Sequence, residues 1–100
     1  MAHPIATIHY TECLYSTLDP NKRLQINCWQ RDFWTKKEIS DWFSRNPERP
    51  RSYIRNVPRK VTWTDWSKDP HDYTSAVDHE VEVRDFKEAK KIIETVAACQ

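Results

Sequence analysis

Glycine is absent from all 100 residues of this chain, where an average protein carries about 7 per cent. It is the usual residue wherever φ must be positive or backbone must lie close against a ligand. Its absence therefore excludes the Gly-rich loops that cradle phosphates in nucleotide and dinucleotide sites. It also excludes the aromatic–Gly–aromatic signature of RNA-recognition sheets. Turns have to be made from Asp, Asn, Ser and Pro instead. No apolar run approaches the ~20 residues that cross a bilayer. The amino end, Met1-Ala2-His3-Pro4, has no basic segment leading into an apolar stretch, so neither a membrane span nor a signal peptide is expected. Three cysteines, Cys13, Cys28 and Cys99, are an odd number that suits a reducing interior better than a disulfide scaffold. The expected location is cytoplasmic.

Metal and catalytic signatures are also sparse. His9, Cys13, Cys28, His71, His79 and Cys99 are the candidate ligands, and they include no Cys-x-x-Cys or His-x3-His pair. His9 and Cys13 would share a strand face, but not as nearest neighbours, so no metal is expected. Cys28 suits the role of a small core hydrophobe. In a strand, Asp78 and Glu80 point away from His79, so sequence adjacency makes no catalytic dyad. No catalytic residue and no cofactor is expected.

What the chain does contain is a charged surface and a surplus of tryptophan. Charged residues make up 31%, hydrophobic residues 38%, the net charge is +1, and there are five tryptophans. One small core can use two or three of them, which leaves Trp29 and Trp66 as candidate partner anchors.

A pattern recurs 53 positions apart. Ungapped, residues 8–43 share seven identities with 61–96, centred on Arg31-Asp32-Phe33 and Arg84-Asp85-Phe86. Each half reads as two strands and a helix. Strands fall near Ile5–Leu14 and Leu24–Cys28, then from Val61 and over Val77–Val83, where Val77, His79, Val81 and Val83 alternate with polar residues. Asp32 or a Thr35-x-x-Glu38 box could cap the first helix, with Phe33, Ile39, Trp42 and Phe43 as its apolar stripe. Asn46-Pro47 would end it. Asp85 with Glu88 would cap the second, whose stripe is Phe86, Ala89, Ile92, Ile93, Val96 and Ala97.

The fold expected is α+β: two ββα halves forming a four-stranded, mainly antiparallel sheet with two helices on one face. Its element order is that of a ferredoxin-like sandwich with permuted ends. A single domain covers 1–100, with pseudo-repeats at about 5–45 and 60–99. Transferred through the repeat, Leu24, Ile26, Cys28 and Gln30 should face the helices with Val77, His79, Val81 and Val83. Gln25, Asn27, Trp29 and Arg31 should lie on the open face with Asp78, Glu80, Glu82 and Arg84. A one-residue slip would reverse a strand's assignment.

The halves are joined by the Arg-rich segment 45–60, with six basic residues and one acid, while 61–100 carries nine acids and five bases. Arg49, Arg51, Tyr53, Arg55, Arg59 and Lys60 could grip phosphates, dock on an acidic protein surface, or fold back on the chain's own acidic half. The leading functional expectation is a small non-catalytic module that binds a protein partner, an inhibitor or adaptor of the phage or mobile-element type. The alternative is nucleic-acid binding through 45–60. A cofactor-free enzyme with a pocket near His79 comes third, and the pattern also admits a homodimer.

Overall fold

The computed structural model describes residues 3–15, 22–65 and 76–99. The element order is β1 (Ala6–Tyr15), β2 (Arg23–Phe33), α1 (Lys36–Ser44), β3 (Ile54–Asp65), β4 (Val77–Glu82) and α2 (Phe86–Ala98). All four strands pair antiparallel in one open sheet of order β2-β1-β3-β4. This is the expected ββα–ββα order, with the first strand of each hairpin at the centre of the sheet.

Both helices cover the same face. Ala6, Ile8 and Val61 from the central strands pack with Phe33, Ile39, Val83, Phe86, Ala89, Ile93 and Ala97. Paired residues share a face, so Ile8 opposite Arg31 and Val61 opposite Val81 define the helix side of each edge strand. Val77, His79, Val81 and Val83 are on that side, as expected. The expectation for β2 is reversed from Asn27 onward. Asn27, Trp29, Arg31 and Phe33 share the helix side, whereas Cys28 and Gln30 lie opposite Thr11 and His9 on the open side. Cys28 is accordingly exposed, and Cys13 is the buried thiol.

The capping chemistry explains the reversal. Thr35, not Asp32, caps α1. Its hydroxyl accepts from the Glu38 N–H at 3.1 Å, and the Glu38 carboxylate accepts from the Trp34 N–H at 2.7 Å. Asp85 and Glu88 repeat that box at α2, with the Arg84 N–H as the second donor. The matching caps are 50 positions apart, not 53. Asp32 therefore stays in β2, where it accepts from the Thr7 hydroxyl at 2.6 Å, and Phe33 ends a strand while Phe86 begins a helix. A three-residue difference is odd, so the β2 side chains from Asn27 onward change face, and only before the bulge at Ile26 do Leu24 and Gln25 keep the expected sides.

Two bulges shape the sheet. Ile26 is the extra residue where β1 and β2 shift register, and Arg59 plays that part between β1 and β3. The second bulge accommodates Pro58, which has no N–H to give to a central ladder. Without glycine, the left-handed turn after α1 falls to Asn46 at φ 52°. Asn tolerates that region and a β-branched residue does not. Asn46→Gly is expected to change stability by only a few tenths of a kcal/mol, and Asn46→Val to cost roughly 1–2 kcal/mol, read as a shift in urea midpoint.

The molecule measures 55 × 24 × 20 Å, with a radius of gyration of 15.6 Å, against about 13 Å for a compact 100-residue domain. The excess length fits strands of 10, 11 and 12 residues, with β3 flanking the β1–β2 hairpin as far as the Leu14–Ile54 pair.

Candidate functional site

Exposed apolar side chains gather on that hairpin. Leu14, Leu24, Ile26 and Trp29 are 38%, 63%, 40% and 50% exposed. Leu14 and Leu24 are directly paired, and Trp29 lies opposite Tyr10 on the helix side, at the edge of the helical layer. Trp29 is thus exposed, as a partner anchor should be, although it occupies the opposite face from the one its sequence pattern suggested. Its indole Nε1 donates to Glu12 Oε1 at 3.3 Å, and Asn27 Nδ2 donates to the same oxygen at 3.3 Å.

Behind Trp29 is a cavity of about 440 Å³, with Tyr10, Trp29 and Trp42 as aromatic walls and Glu12 and Asn56 as polar ones. Its rim is the connection after α1, which includes Arg45, Pro47 and Pro50. Asn56 fastens that connection to the sheet: its N–H donates to the Glu48 carbonyl and its Nδ2 to the Pro47 carbonyl, both at 2.8 Å. Burial raises the pKa of the Tyr10 phenol, with the Glu12 charge adding to the effect. Tyr10, Glu12 and Asn56 were not singled out in the sequence, and Trp42 only as part of the apolar stripe of α1. Their grouping depends on how the connection folds back over the sheet, which no local spacing encodes.

The Arg-rich segment divides in two. Its second half is not a loop but the start of β3. There Arg55 lies over the Tyr15 ring at 4.7 Å, Arg59 Nε donates to Thr11 Oγ1 at 2.8 Å, and Lys60 forms an ion pair with Glu80. These cations are spent on the chain itself, Lys60 on the acidic half. Arg49, Arg51 and Tyr53 are exposed on the connection, with Arg51 Nη1 donating to the Tyr53 hydroxyl at 3.2 Å. Trp66 and His71 lie outside the described residues.

His79 stacks on Trp63 with ring centroids 5.1 Å apart. Its sequence neighbours point to the other face, where Asp78 accepts from Thr64 and Glu80 meets Lys60. Among the described residues no group of His, Cys, Asp and Glu is placed to hold a metal ion. Comparison with protein-family models, curated proteins and solved structures finds no match. No helix among the described residues is long and apolar enough to cross a membrane.

The open face carries the clearest titration behaviour. His9 shares a hydrogen bond with the Thr62 hydroxyl at 2.9 Å, and burial, then the Lys60 charge, lowers its pKa from 6.5. In the unfolded chain His9 takes up a proton near that ordinary value, while the fold resists it, so stability must fall as pH drops below 6.5. The Lys60 hydrogen bond holds the Glu80 pKa down, which adds a loss in the same direction at lower pH. His9→Gln is expected to flatten the upper part of this dependence, measured as urea midpoint against pH.

Proposed function

We propose that this domain works by binding, not chemistry, and engages a protein partner through the β1–β2 hairpin at the sheet edge with Trp29 as anchor, in an inhibitor or adaptor role. The observation that carries this reading is the cluster of Leu14, Leu24, Ile26 and Trp29 exposed together on an edge hairpin. The Glu12–Asn27 pair separates Trp29 from Leu14 and Leu24, and exposed apolar residues rimmed by polar ones in this way suit an interaction surface. Tryptophan is the residue that most often dominates such contacts. The unpaired edge of β2 adds main-chain donors and acceptors to the same surface.

A second reading, nucleic-acid binding, draws on the exposed Arg49, Arg51 and Tyr53, which together offer forked phosphate donors and a stacking face. One experiment divides the two. The domain is used as bait in its source lysate, with and without nuclease, and captured protein is then rebound in purified form. Nuclease-resistant capture that survives neutralisation of Arg49, Arg51 and Arg55 supports the hairpin. Capture lost on nuclease treatment, with affinity falling steeply in salt, would sink it in favour of the Arg-rich connection. Sedimentation of the domain alone distinguishes a second copy of the chain from a different protein as the occupant of the surface.

A further inference from the structure

The cavity behind Trp29 has an unmet demand for hydrogen-bond donors. Asn56 is buried and spends its Nδ2 on Pro47, leaving Oδ1 as the buried side-chain atom without a partner among the described residues. Glu12 accepts both of its bonds on one oxygen, each at 3.3 Å, and forms no ion pair among the described residues. A buried acceptor without a donor costs free energy that a donor brought from outside would recover. The remaining walls, Tyr10, Trp29 and Trp42, offer aromatic faces, and such faces attract cations through the ring quadrupole.

Among protein side chains guanidinium joins a plane and a permanent charge to the largest number of N–H donors, five against two for imidazolium. An ammonium ion has donors but no plane to lay against a ring, and a neutral aromatic has no charge to match Glu12. We propose that this cavity is a guanidinium-accepting site that takes an arginine side chain of the protein partner, beside Trp29 and Tyr10, with Glu12 and Asn56 as acceptors. The nearby cations do not fill that role from within. Arg45 also lines the cavity but forms no ion pair with Glu12, and Arg51 donates to Tyr53. The pocket chemistry stands on the geometry alone, whereas the partner as the source of the arginine rests on the protein-binding reading above.

The test is a titration of 15N-labelled domain with N-acetyl-arginine N-methylamide, read at the Trp29 indole and Asn56 side-chain amide signals. Saturable shifts in the millimolar range are expected. The citrulline counterpart, planar and of equal length but neutral, should bind at least ~10-fold more weakly. Glu12→Gln keeps an acceptor for the indole, so it should melt like the parent while losing the preference for arginine. Equal affinity for the two probes, or an unchanged preference in Glu12→Gln, overturns charge recognition, and absence of shifts with either overturns the site. If arginine fails to bind while Trp29→Ala still abolishes partner capture, the partner surface stands and this site falls. If arginine binds but Trp29→Ala leaves capture intact, the site stands and the partner's arginine is overturned as its occupant.

Discussion

Phe33→Ala is expected to remove a large share of the domain's stability, while Gln30→Ala, three residues earlier on the same strand, leaves it almost unchanged. Phe33 is 0% exposed. Its ring lies 5.6 Å from Trp42 edge-on and 5.8 Å from Phe43 in a stacked arrangement. Truncating a buried Phe loses its transfer free energy and leaves a cavity, together about 3–5 kcal/mol. Domains of this size have about 5–15 kcal/mol in total, so Tm should fall by at least about 12 °C. Gln30 is exposed on the other face, where substitutions stay within about 0.5 kcal/mol. Thermal unfolding of the two variants side by side reads the β2 register directly. A large loss for Gln30→Ala with a small one for Phe33→Ala would sink it.

The same strand shows how far the fold was legible in the sequence. The second half could be read directly because its signals agree. Val77 to Val83 alternate strictly, Asp85 and Glu88 box the helix start, and Phe86, Ala89, Ile93 and Ala97 recur on one helical face that is buried. In the first half two helix starts compete three residues apart, and the Arg-Asp-Phe identity favours the wrong one. The central strands do keep the 53-residue spacing: Ile8 and Val61 are mutual partners on the core side. The edge strands and caps keep a 50-residue spacing, because Ile8 reaches its β2 partner at Arg31 and Val61 reaches its β4 partner at Val81. The three residues are lost between the strands of the second hairpin, and an ungapped comparison cannot register a loss there. With the correct spacing, Trp29 becomes the counterpart of His79, each opposite an aromatic residue of a central strand, Tyr10 or Trp63.

Segment 45–60 shows a second limit. Its charge was visible at once, but charge does not reveal which arginines find partners inside the fold. Arg55, Arg59 and Lys60 belong to β3, where strand register sets Arg55 over Tyr15 and Lys60 against Glu80. Arg49 and Arg51 come before the strand and stay exposed. Pro58 inside the run argues locally against a central strand, and the bulge at Arg59 is what overrides it. The cavity behind Trp29 likewise needs the connection to turn back through Asn46 and be fastened by Asn56. Sequence separation hides both.

Trp29→Ala should separate binding from folding. The ring is half exposed, and its cross-strand pairing with Tyr10 is of the kind worth about 0.2–1 kcal/mol. Loss of stability should therefore stay within about 1 kcal/mol, a Tm change of roughly 4–8 °C, well short of that for Phe33→Ala. Affinity for the partner should respond far more strongly. Truncating a tryptophan at the centre of an interface costs at least about 2 kcal/mol, which is roughly a 30-fold rise in Kd. The loss should appear mainly as faster dissociation, because the ring contributes packing and no long-range steering. Leu24→Ala, on the same hairpin, should weaken binding less, since leucine is seldom the dominant contact of an interface. Calorimetry or surface binding with the purified partner, alongside thermal melts, gives both quantities on the same samples. Unchanged affinity in Trp29→Ala with an unchanged Tm would remove the hairpin as the contact surface and turn attention to Arg49, Arg51 and Tyr53. An unfolded Trp29→Ala would show instead that the ring does the work of a core residue, against its 50% exposure and its single hydrogen bond, to Glu12, among the described residues.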